Sequence, residues 1–318
     1  MRIYIKSLYF ILISFLLKFD LFNSFLFSKF DLSRFNIFKN SIKTVSLEVK
    51  NKKLTNNFIV NKINNGSFNE FKQLVFNITS PFFDDNKKLI TITPGGLKGF
   101  YVLGICSYLK ENYDLSNYVF SGASAGSWNS LILSYKYDTK KIIDTIFDIN
   151  FKNAGSIFNI ELMIKERFLS EFNDNDFDLE KVYIGSTIFE NYRLKSVVYN
   201  DFDSLADAID CCIGSSHIPF VCGSLYFIYK EKITVDGGIS LYINESPYLP
   251  TKIPSLIINP NLFKKSISNN ETVDLCDYYK GYFDSIDINK VSNVKQMFDE
   301  GYNNAQDNKE ALDDIFLN

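Results

Sequence analysis

The stretch VFSGASAGSW, residues 119–128, decides the fold. Its centre, Gly122-Ala123-Ser124-Ala125-Gly126, is a G-x-S-x-G pattern. In a chain with 15 glycines such a match arises by chance about one time in twenty, so its surroundings carry the reading. A nucleophile elbow needs a strand before the serine and a helix after it, which leaves the hydroxyl exposed on a sharp turn. Tyr118-Val119-Phe120 predicts the strand and residues 127–135 predict the helix. The two glycines are small because the backbone passes close to itself there, and a φ > 0 is expected with it. Ser124 is the candidate nucleophile.

Upstream, Leu89-Ile90-Thr91-Ile92-Thr93 reads as a β-branched strand broken by Pro94-Gly95-Gly96-Leu97-Lys98-Gly99, and residues 100–109 read as a helix. A glycine turn opening a helix presents outward N–H groups to an anion. If that anion is the oxyanion of acyl transfer, each donor is worth about 3 kcal/mol in the transition state. An ordinary turn and a phosphate cradle are the alternatives, but neither G-x-x-x-x-G-K-[ST] nor G-x-G-x-x-G is present. Downstream, the strand Ile233-Thr234-Val235 ends at Asp236-Gly237-Gly238. Taken alone this is a turn; at a strand's C-terminal end it sets a carboxylate where α/β sites gather.

Other segments complete an alternating pattern. Residues 182–189 and 192–199 predict strands joined at Glu190-Asn191, while Leu205, Ala206, Ile209, Cys212 and Ile213 mark a helix, as do Ile142, Ile143, Ile146 and Phe147. Val291, Val294, Phe298, Tyr302 and Ala305 predict a last helix. Strands alternating with helices imply an α/β sheet.

Composition sets aside several classes. Thirty-four basic and 37 acidic residues give a net charge of −3, with no basic stripe for a nucleic acid. The five cysteines are irregularly spaced with no C-x-x-C, so they read as small buried hydrophobes rather than a disulfide frame or zinc site. No metal and no cofactor enter the reading. There is one histidine, His217, so any mechanism that needs two is excluded. A nucleophilic serine needs a base: His217 at the centre of a triad, or Asp236 acting directly with its pKa raised by burial.

The N-terminus divides in two. Residues 1–30 hold Arg2 and Lys6 ahead of an apolar run, residues 7–17, and a second run at 21–27. Such runs are shorter than the roughly 20 residues of a full span and read as a signal, anchor or membrane-surface segment, with a buried helix as the alternative. Secretory-pathway targeting or membrane association follows as the expected location. Residues 31–86 are a polar Asn-, Lys- and Ser-rich extension. Residues 87–318 form the expected main domain, with its motifs in 87–240.

In order, GGLKG, GASAG and DGG resemble the oxyanion loop, nucleophile elbow and catalytic aspartate of the patatin-like phospholipases. CCIGSSHIPF resembles that family's A-S-x-x-P stretch. The resemblance implies a three-layer α/β sandwich with a mostly parallel central sheet and a lipid acyl hydrolase acting on membrane-lipid or other acyl esters. It implies Ser124 as nucleophile, Asp236 as general base, and the N–H groups of Gly95, Gly96 and Lys98 as the oxyanion hole, supported by Gly99, Gly122, Gly126, Gly237 and Gly238. His217 then falls on a variable position with a structural or pocket-lining role. The family often has three glycines, and here Pro94, which has no N–H, stands where the first would be.

Two other readings remain. A His217-centred α/β-hydrolase is disfavoured by chain order, because that fold places its histidine last. A membrane-anchored, non-catalytic lipid binder would have no need of both Ser124 and Asp236.

Overall fold

In a computed structural model of the chain, the described residues are 87–151, 154–249, 254–263 and 287–317. The expectations for residues 1–30 and 31–86, and for Cys276, lie outside them. Among the described residues no helix is long and apolar enough to cross a membrane.

Seven strands form one mixed sheet: β1 (Lys88–Ile92), β2 (Tyr118–Ala123), β3 (Val182–Glu190), β4 (Arg193–Tyr199), β5 (Phe227–Tyr229), β6 (Lys232–Val235) and β7 (Leu256–Ile258). β7, β1, β2 and β3 run parallel, while β4, β5 and β6 pair antiparallel beyond them. β2 is buried at every position and β1 at all but its first. Strands covered on both faces read as short continuous apolar runs rather than alternations.

The helices are α1 (Gly99–Asn112), α2 (Ala125–Leu133), α3 (Thr139–Phe147), α4 (Ile157–Glu171), α5 (Leu205–Ser215), the short α6 (Ile239–Tyr242), α7 (Val294–Asp307) and α8 (Lys309–Phe316). Several begin at side-chain caps: Asp138 accepts from Lys140 N, Ser156 from Asn159 N and Ser204 from Asp207 N. One sheet face, carrying Ile90, Ile92, Phe120, Val182 and Ile184, packs on α1, α2 and α5. The other carries Leu89, Val119, Tyr183 and Val198 against Leu249, whose N–H donates to Ser121 Oγ at 2.9 Å. Sheet and helical face account for two layers of the expected sandwich.

α1 is buried from Tyr101 through Leu109 because α7 covers the side turned from the sheet. The two helices cross at glycines: a Cβ on Gly104 would lie 2.0 Å from Phe298 O, and one on Gly301 would lie 1.9 Å from Tyr101 O. Any side chain there would force the helices apart.

The register around β3 positions the site. β4 pairs along Ile184 to Glu190, which fills one edge of β3. β2, pairing up to Ala123↔Gly185, and β6, pairing up to Val235↔Thr187, therefore share the other edge. β2 runs parallel to β3 and β6 antiparallel, so the two strand ends point at each other across the single residue Ser186. Ser124 and Asp236 are the residues that follow them.

Candidate active site

Ser124 sits between β2 and α2 with φ 55° and ψ −128°, a conformation that costs a non-glycine residue about 1–3 kcal/mol. The flanking glycines do not share it; close approach explains them. A Cβ on Gly122 would lie 2.1 Å from Gly126 O, and one on Gly126 2.2 Å from Ile92 O. The left-handed backbone expected of the glycines belongs to the serine itself. Ser127 closes the turn, its N–H and Oγ both donating to Ser124 O, at 2.9 and 2.6 Å.

Ser215, at the end of α5, ties this turn to the next. Its Oγ accepts from Ser124 N at 2.8 Å and donates to Gly185 O at 2.6 Å, while its carbonyl accepts from Gly237 N at 2.7 Å. A hydroxyl with one donor and two acceptor positions is thereby used in both senses. The sequence marks Ser215 only as part of the stretch that resembles A-S-x-x-P, and its bonding role emerges only when β2, β3 and β6 are brought together.

Asp236 is held on all sides. Its N–H donates to His217 O at 2.8 Å, its carbonyl accepts from Thr187 Oγ1 at 2.9 Å, and its Oδ1 accepts from Gly238 N at 2.8 Å. Oδ2 has no hydrogen-bond partner among the described residues. Burial pushes the carboxyl up to about 6, opposed by the Ser124 hydroxyl and the Gly238 N–H. Gly237 fits because a Cβ there would lie 2.1 Å from Gly185 O.

The glycine loop follows β1 as a 3-10 turn, Gly96–Lys98, leading into α1. Gly96 has φ 53°, a conformation glycine adopts at little cost. The N–H groups of Gly95 and Gly96 have no acceptor among the described residues. Lys98 differs from the expectation: its N–H donates to Gly95 O at 3.1 Å, because a 3-10 turn uses that donor to close itself. Pro94 packs on the aspartate turn, with its Cγ 3.1 Å from where a Gly238 Cβ would stand. Gly99 packs on the elbow, since a Cβ there would lie 2.7 Å from Ala125 Cβ.

A cavity of about 100 Å³ opens beside these groups, lined by Gly96, Leu97, Ser124, Trp128, Ile160 and Glu161 among others. The Ser216 hydroxyl accepts from Trp128 Nε1 at 3.1 Å and reaches Glu161 Oε1.

His217 stands apart. Its ring is buried near Phe158 and Phe227, at 6.1 and 6.3 Å between centroids. Nε2 pairs with Ser224 Oγ at 3.0 Å and Ser224 O at 3.2 Å, and Nδ1 has no partner among the described residues. Burial lowers its pKa, which keeps the ring neutral. Only its backbone carbonyl touches the site, at Asp236. Cys106, Cys211, Cys212 and Cys222 are buried and free, as their spacing suggested.

Comparison with curated proteins gives no match to the chain. The family model described as patatin-like phospholipase matches residues 91–245, just under half of the chain, from β1 through the turn that follows α6. That span contains the glycine loop, the elbow, Ser215 and Asp236, and such a domain is one that hydrolyses lipid esters. Sheet, elbow and matched residues agree in making residues 91–245 similar to the patatin-like phospholipases.

Proposed function

We propose that the protein is a serine lipid acyl hydrolase in which Ser124 is the nucleophile and Asp236 the general base. One observation carries the reading: β2 and β6 meet end to end on one edge of β3, which sets the residues after them side by side. Ser124 Oγ attacks the ester carbonyl as its proton passes to Asp236. The tetrahedral oxyanion lies against the N–H groups of Gly95 and Gly96, where donors fixed in advance stabilise developing charge. Collapse expels the alcohol, which takes the proton from Asp236 and leaves an acyl-Ser124 ester. Asp236 then accepts a proton from water, the hydroxide equivalent attacks, and the acid leaves as Ser124 recovers its proton.

A carboxyl raised toward 6 is a stronger base than an ordinary aspartate and still ionised at neutral pH. The acyl chain enters the cavity walled by Leu97, Leu103, Ile132, Ile160 and Ile164. The test is hydrolysis of a panel of phospholipid, lysophospholipid, galactolipid and triacylglycerol esters by the purified protein, with Ser124→Ala and Asp236→Ala alongside. The reading requires turnover of at least one class by the wild type and its loss in both variants. Turnover that survives in Ser124→Ala refutes it.

A further inference from the structure

α4 forms one wall of the cavity beside Ser124. Ile157, Ile160, Glu161 and Ile164 stand at i, i+3, i+4 and i+7, so they share a helix face, and all four line the cavity. Three are aliphatic. The fourth is a carboxylic acid only 4% exposed, with Oε1 reached by the Ser216 hydroxyl and Oε2 without a partner among the described residues. Asn129 lines the same cavity. Its Nδ2 donates to Gly99 O and Ala125 O, at 3.2 and 2.9 Å, and its Oδ1 is likewise unpartnered. A buried polar atom left unpaired costs about 1–3 kcal/mol, and in native proteins such atoms call for a specific reason. Both atoms belong to residues that line one small apolar cavity, where a polar group of the ligand can turn them to use.

The surroundings restrict that group. Among the described residues lining the cavity there is no Lys, Arg or His, so an anionic group would be buried without a countercharge. Burial pushes Glu161 up to about 8, with the charge of Asp236 adding to it. The acid is therefore neutral at pH 7 and offers one O–H donor besides its acceptor positions. An ammonium would have to ionise an acid that its surroundings hold neutral. An uncharged hydroxyl both donates and accepts, and matches what Glu161 and Asn129 leave open.

We propose that Glu161 is a specificity-determining residue that reads a hydroxyl group on the ester whose chain fills this cavity. The inference rests on the reading above only in taking the ligand to be an acyl ester; it concerns binding and not turnover. At about 100 Å³ the cavity is smaller than one of about 150 Å³ that holds benzene, so it takes one chain segment. The hydroxyl comes either from the acyl chain itself or from a glycerol carrying a single acyl group.

Trp128 is the chain's only tryptophan and lines the cavity, so its fluorescence reads occupancy directly. The experiment titrates the full-length Ser124→Ala protein at pH 7 with methyl octanoate, methyl 3-hydroxyoctanoate and glycerol 1-octanoate, each below its micellar concentration. It is repeated with Glu161→Gln or Glu161→Leu added, and with Glu161→Met where the leucine variant melts early. One of the two hydroxylated esters gains about tenfold in affinity relative to methyl octanoate, the worth of a buried hydrogen bond. The ester that gains identifies the source of the hydroxyl. Glutamine keeps the gain and leucine or methionine abolishes it. No gain in the parent protein, or a gain that survives leucine, overturns the inference. A gain lost equally in Glu161→Gln overturns it, because an uncharged amide would then fail where an uncharged acid is said to suffice. Wild-type turnover of p-nitrophenyl octanoate, measured separately, tests the hydrolase reading: binding without turnover sinks that reading alone, and turnover without a Glu161-dependent preference sinks this one alone.

Discussion

The Ser124 backbone N–H donates to Ser215 Oγ at 2.8 Å, so the strained elbow is anchored by the end of a helix more than ninety residues downstream. The same residue's carbonyl holds Gly237, next to Asp236. Ser215→Ala removes the acceptor of one buried N–H and the donor to one buried carbonyl, which costs about 1–3 kcal/mol of stability. Small displacements of a nucleophile cost up to about 100-fold in rate, so kcat for ester hydrolysis falls about 10- to 100-fold with KM nearly unchanged. Ser215→Thr, which keeps the hydroxyl, recovers most of the loss. Equal kcat in Ser215→Ala and wild type would remove Ser215 from the positioning of the site.

The elbow also stores strain that a substitution can release. Ser124→Gly suits φ 55° and Ser124→Ala does not, so the glycine variant is more stable by about 1 kcal/mol despite glycine's greater freedom when unfolded. Urea midpoints of the two variants give the comparison; an alanine variant as stable as the glycine variant would mean that Ser124 is not strained.

Asp236 links pH to both rate and stability. kcat/KM rises as the carboxyl loses its proton near pH 6, and it falls again near pH 8 as Glu161 ionises in the cavity that Ser124 also lines. Glu161→Gln removes the upper limb and leaves the lower one. The stability effect has the opposite sense to the usual aspartate. A folded-state pKa above the ordinary 3.8 means the protonated form is favoured on folding, so its stabilising contribution is complete below pH 3.8 and lost as pH rises through about 6. Asp236→Asn is therefore inactive, yet about 1–3 kcal/mol more stable than wild type at pH 8, with little difference at pH 4. Thermal melts at the two pH values check the sign.

How much of this was legible follows from the range of the interactions. The elbow and the aspartate turn are written in small residues at fixed short offsets, although the backbone contact that excludes a side chain is a local one only at Gly122, against Gly126; Gly126 and Gly237 are small against the distant Ile92 and Gly185 carbonyls. The meeting of β2 and β6 on β3 is a pairing between distant segments, and no local pattern encodes it. Residues 157–171 gave no helical reading, since Glu161 interrupts the apolar face and Lys165-Glu166-Arg167 dilutes it. α4 and its carboxyl became apparent only with the cavity. Lys98 shows the reverse error, a donor inferred from a motif and then used by the local turn.

His217 separates a two-residue mechanism from a triad. With its ring bonded to Ser224 and set between Phe158 and Phe227, His217→Ala loses packing and about 1–3 kcal/mol of stability. It keeps kcat for ester hydrolysis within a few-fold of wild type at a temperature where both are folded. Inactivity equal to that of Ser124→Ala would restore a histidine base.

Labelling by a serine-directed fluorophosphonate tests the central claim most directly, because it needs an activated serine and no particular substrate. The folded wild-type protein is labelled at Ser124, as read by mass spectrometry of the tryptic peptides. Ser124→Ala is not labelled, and Asp236→Asn is labelled at least about 100-fold more slowly, the scale of a lost general base. Labelling of folded Ser124→Ala at the wild-type rate, or an inert wild type, would contradict the assignment of Ser124 and Asp236.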